Sequence, residues 1–102
     1  MDITLKTRKI IEKLFPPDDV DLVADILERE CGGNIPQCGE CTPEEMERIR
    51  FSVLKESNGC IDTLSRCIGL AGIDWRDLLV NAGFADDVHA HEAWAEELLA
   101  DR

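Results

Sequence analysis

Apolar residues recur every three or four positions along most of this chain, and no stretch shows the strict alternation of a half-buried strand. The first periodic segment, 3–15, lines up Ile3, Ile10, Ile11 and Leu14 and meets Pro16-Pro17, which cannot continue a helix. The second, 19–31, follows a cap at Asp18 or Asp19. It carries Val20, Val23, Ala24, Leu27 and Cys31 on one face and stops at Gly32-Gly33. After a loop at 32–42, "TPEE" opens a third segment, 43–57. Thr42 suits the N-cap, Pro43 the first helical position, and Glu45 closes a capping box. Its apolar positions are Met46, Ile49, Val53 and Leu54, and Asn58-Gly59 breaks it.

The remaining sequence divides into helices at 60–71, 75–82 and 87–100. Gly72 ends the first of these. Asp74 starts the next, with Trp75, Leu78, Leu79 and Ala82 on one face, and Gly83 stops it. Asp86 or Asp87 caps the last, where Val88, His91, Trp94, Ala95, Leu98 and Leu99 share a face and His89 points away. About six short helices with brief connections predict an all-α fold, a compact single-domain bundle or orthogonal array spanning 1–102.

A chain of 102 residues with 44% hydrophobic and 32% charged residues has the composition of an ordinary globular domain. Its N-terminus has charges spread through it and does not read as a signal peptide, and no apolar run reaches the roughly 18 residues of a membrane span. The expected setting is the cytoplasm, where thiols stay reduced. Charge sharpens this picture. Residues 1–15 carry a net +2 and the other 87 a net −13. An acidic body repels phosphate and anionic lipid, so nucleic acid and membrane are not expected partners, while basic proteins are. An acidic face on the second helix, Asp18, Asp21, Asp25 and Glu28, could mimic phosphates, although a solvated surface accounts for it equally.

Five cysteines provide the main candidate chemistry. On a helical projection Cys60 and Cys67 join Leu64, Ile68 and Ala71 and read as core packing. Cys31, Cys38 and Cys41 cluster in "CGGNIPQCGEC". Cys38-x-x-Cys41 could present two thiolates to one zinc ion, with Cys31 as third ligand and Cys60 or a histidine of the last helix as fourth. A redox role is opposed by Glu40, Glu44 and Glu45, which disfavour thiolates, and by the lack of a βαβ context. The simplest expectation is an inert loop with no cofactor, and zinc is the alternative.

No catalytic constellation is visible. The paired carboxylates sit at helix starts, where they complement the dipole, and there is no nucleophile elbow or phosphate loop. "SRCIGLAGIDWRDLLVNAG" has the apolar spacing of a helix-turn-helix, with Ala71, Ile73 and Leu78 at suitable positions. Asp74 and Asp77 nevertheless stand where phosphates would lie, so it reads as a core hairpin anchored by Trp75. A histidine on an apolar stripe, such as His91, is expected in a core or an interface. Together these features predict a protein-protein interaction or regulatory module whose partner is another protein or a second copy in a homodimer, with Trp94, Leu98 and His91 as candidate interface residues.

Overall fold

Thr4 sets the start of the first helix, α1 (Leu5–Leu14), by accepting a hydrogen bond from the Thr7 amide at 3.1 Å. The structure, a computed structural model, describes residues 3–31 and 42–100. A 3-10 turn, Pro17–Asp19, leads into α2 (Val20–Glu30). Asp19 stands at the N-cap of α2, but its side chain makes no cap bond. The turn's own main chain prepares the helix instead, through the Asp19 amide on the Pro16 carbonyl at 2.9 Å. The expected stripe of α2 is buried in full, from Val20 to Cys31.

Helix α3 (Pro43–Ser57) opens as its sequence predicts, with the Thr42 hydroxyl accepting from the Glu45 amide at 3.1 Å. It ends at Asn58, which is left-handed with φ 52°. Met46, Ile49, Val53 and Leu54 are buried; so are Arg50 and Ser57, polar residues on the same stripe, and Phe51 and Ser52, which lie off it. The cause is tertiary. Helix α3 is covered by α1, by α4 (Ile61–Ala82) and by α5 (Ala90–Ala100), so more than one of its sides faces protein. The described residues thus form five α-helices and one 3-10 turn, an all-α domain.

The count falls one short of six because the helices expected at 60–71 and 75–82 join within α4. They meet at a single non-helical residue, Asp74 (φ −155°, ψ 98°), two residues beyond the expected stop at Gly72. The Asp74 carboxylate accepts from the Arg76 amide at 3.0 Å, so it caps the second segment from within the run. Helix α5 starts later than expected. Asp87 ties up a turn by accepting the His89 amide at 2.8 Å, which leaves Val88 outside the helix and exposed.

Gly59 locks α1 against the α3–α4 corner. Its φ is +76°, and a Cβ there would lie 2.4 Å from the Leu14 carbonyl oxygen. Gly59→Ala is therefore expected to destabilise the domain by about 2 kcal/mol or more, from the left-handed backbone and the main-chain collision together. A thermal melt should show a fall of about 10 °C or more; an unchanged melting temperature would show that the corner is not tight.

Candidate functional site

Of the residues expected at an interface, His91 and Trp94 lie where α5 meets Phe51 of α3, and Leu98 packs against the core. His91 is only 2% exposed, and Trp94 and Leu98 are partly buried against the core. Phe51 and Phe84 flank the His91 ring in edge-on arrangements, with centroids 5.6 and 6.3 Å away. Trp94 tilts against the same two rings at 6.0 and 5.9 Å. Neither nitrogen of His91 has a hydrogen-bond partner among the described residues. Burial holds its pKa below the ordinary value, so the ring is neutral around pH 7. His91 also forms part of the wall of a surface cavity of about 270 Å³, shared with Thr42, Glu44, Arg48, His89 and Glu92.

The cations of α3 perform a task not evident in the sequence. The Arg50 guanidinium, buried to 3% exposure, donates through Nε to the Cys31 carbonyl at 2.8 Å and reaches the Leu27 carbonyl at 3.5 Å. Lys55 donates to the Ala82 carbonyl at 2.6 Å and lies 5.0 Å from the centre of the Phe84 ring. Arg48 donates to the carbonyls of Phe84 and Ala85. Helix ends leave carbonyls without helical partners, and positive charge is favourable there. Arg50 thus closes the end of α2 and Lys55 that of α4, while Arg48 holds the connection that follows α4. The one signal in the sequence is Arg50 itself, a cation at i+4 from Met46 on the apolar stripe of α3.

The cysteines are dispersed in role. Cys31 is the buried C-cap of α2, and burial pushes its thiol up to about 11, so it stays protonated. Cys60 corrects the core expectation: it is exposed. It is the extended N-cap of α4 (φ −109°, ψ 123°), so the helical projection that grouped it with Leu64 does not extend to it. Hydrogen bonding from Thr63 lowers its pKa. Cys67 is half-buried against the core, and burial raises its pKa. Cys38 and Cys41 lie outside the described residues, so the four-cysteine zinc arrangement is represented here by Cys31 and Cys60 alone. Among the described residues no group of three or more His, Cys, Asp or Glu side chains is placed to hold a metal ion.

Helix α4 carries two of the exposed large apolar side chains among the described residues. Ile73 is 79% exposed and Val80 is 63% exposed. Gly69, Gly72 and Ile73 follow one another at i, i+3, i+4 on its first segment, and an added Cβ at either glycine meets no atom within 4 Å. In the helix-turn-helix look-alike, Leu78 and Ala71 are buried, whereas Ile73 faces solvent. Arg76 is held by Asp74, with Nε on Oδ1 at 3.1 Å. No helix among the described residues is long and apolar enough to cross a membrane. No protein-family model, curated protein or solved structure matches the chain.

Proposed function

We propose that this chain is a small cytoplasmic protein-interaction domain that acts as a homodimer, with the outer side of α4 as its contact face. The observation that carries the reading is the exposure of Ile73 beside Gly69 and Gly72. Glycine inside an exposed helix costs about 1 kcal/mol relative to alanine. The domain's own packing does not require either glycine, because nothing stands near the missing Cβ. A protruding isoleucine and a flat glycine surface on one helix face are self-complementary. A two-fold contact needs that property, since each copy must offer both knob and seat. Partner protein rather than nucleic acid or membrane also agrees with the net charge of −11.

Sedimentation analysis provides the test. The protein is expected to dimerise at micromolar to submillimolar concentration, and more tightly as salt screens the repulsion between two acidic copies. Ile73→Arg should raise the dissociation constant at least tenfold while leaving the melting temperature of the monomer unchanged, because the side chain touches solvent in the monomer. A monomer at every concentration and salt level would overturn the reading. Association that weakens with salt would instead indicate a contact between opposite charges.

A further inference from the structure

Helix α5 is fastened to the domain through a histidine with no hydrogen-bond partner among the described residues. His91 lies in the first turn of α5, wedged between Phe51 of α3 and Phe84 of the preceding connection. The principal packing of α5 is on α1 and α3. The charged groups facing the ring come from all three: Lys6 on α1, Glu47 and Arg48 on α3, and Glu92 on α5 itself. Glu44, Glu45 and His89 line the adjoining cavity.

Two carboxylates and two cations oppose each other around the ring, and burial is the largest influence on it. The carboxylates are also engaged elsewhere. Glu47 accepts from the Thr4 hydroxyl at 3.0 Å, and Glu92 lies 3.1 Å from His89 Nδ1. An imidazolium formed in place would be a buried charge between aromatic edges, with no carboxylate among the described residues within hydrogen-bond distance of it. Such a charge is expelled more readily than accommodated.

We propose that α5 is an acid-releasable strap: uptake of one solvent proton by His91 frees α5 from α3, uncovers Phe51 and Phe84 on the body and exposes Trp94 on the strap itself. The released ring titrates near the ordinary histidine value of about 6.5, whereas the docked ring resists the proton. Docking is therefore fully favourable above about pH 6.5 and is lost as the pH falls below it. Until the docked ring itself titrates, the released fraction rises by up to about tenfold per pH unit. This device is independent of the α4 face.

Amide hydrogen exchange read helix by helix, corrected for intrinsic pH dependence, tests the strap. Between about pH 6 and 5 the protection of α5 should fall by up to tenfold, while α3 and α4 keep theirs. His91→Phe should abolish that slope, and His89→Gln, an exposed change two residues away, should retain it. A pH-independent α5, the same slope in His91→Phe, or an equal loss in α3 and α4 would each overturn the proposal. Should His91→Phe fail to fold, the ring proton of His91 in the unmodified protein decides: a titration midpoint below the ordinary value supports the strap, and one at or above it does not.

Discussion

Phe51→Ala is expected to remove about 4 kcal/mol of stability, within the range for deleting a fully buried phenylalanine. Phe51 has no exposed surface and contacts the rings of both His91 and Trp94. Truncation loses its apolar burial and also leaves a void beneath α5. The two aromatic contacts that set the tilt of Trp94 and the position of His91 are reduced to those made by Phe84. For a domain of this size the change corresponds to a fall of about 20 °C in melting temperature. Total stability in small domains is about 5–15 kcal/mol, so the loss is a large fraction of what keeps the domain folded. Phe51→Leu keeps most of the volume and should cost about 1.5 kcal/mol or less. Urea denaturation followed by far-ultraviolet circular dichroism measures both. A loss under about 1 kcal/mol for the alanine variant would show that α5 closes the void by collapse.

Arg50→Met should cost about 3 kcal/mol, although it keeps an unbranched apolar stem in place of the arginine's own. What it removes is the pair of donors that reach the Cys31 and Leu27 carbonyls at the end of α2. A buried polar group left without a partner costs about 1–3 kcal/mol. Arg50→Lys restores a charge but not the planar fork, and should recover part of the loss. Cys31 supplies a second readout. Its thiol is buried and held near 11, so it should react with a thiol reagent only through opening of the α2 end. In Arg50→Met that reaction should accelerate at least tenfold, while the exposed Cys60 reacts as before. Unchanged Cys31 kinetics would show that the last turn of α2 holds itself closed.

Periodicity places Arg50 on the stripe of α3 but does not say what its charge meets there, and it does not mark Phe51 at all. A helix with one buried side declares itself in sequence. On α2, Val20, Val23, Ala24, Leu27 and Cys31 form a stripe at helical spacing, and all five are buried. The capping chemistry is equally local, so Thr42 could be assigned to the start of α3 and Asp74 to the start of the second segment of α4. The site is less legible. Cys60 resembles a core residue on a projection that assumes it is already helical, yet the cap geometry turns it outward. Ile73 resembles a core position of a helix-turn-helix, and only the placement of α4 on α3 shows that it faces away.

What this sequence determines alone is therefore whatever depends on neighbours three or four residues apart: the all-helical class, most helix ends, and the single stripe of each peripheral helix. The tertiary structure decided which helix is central. It buried Arg50 and Phe51 together, set His91 between two phenylalanines and left Ile73 in water. The physical reason is range. Helix propensity and capping act within one or two turns, whereas burial depends on contacts between segments tens of residues apart. Phe51 and His91 are one such pair, 40 positions apart in sequence and 5.6 Å between ring centres.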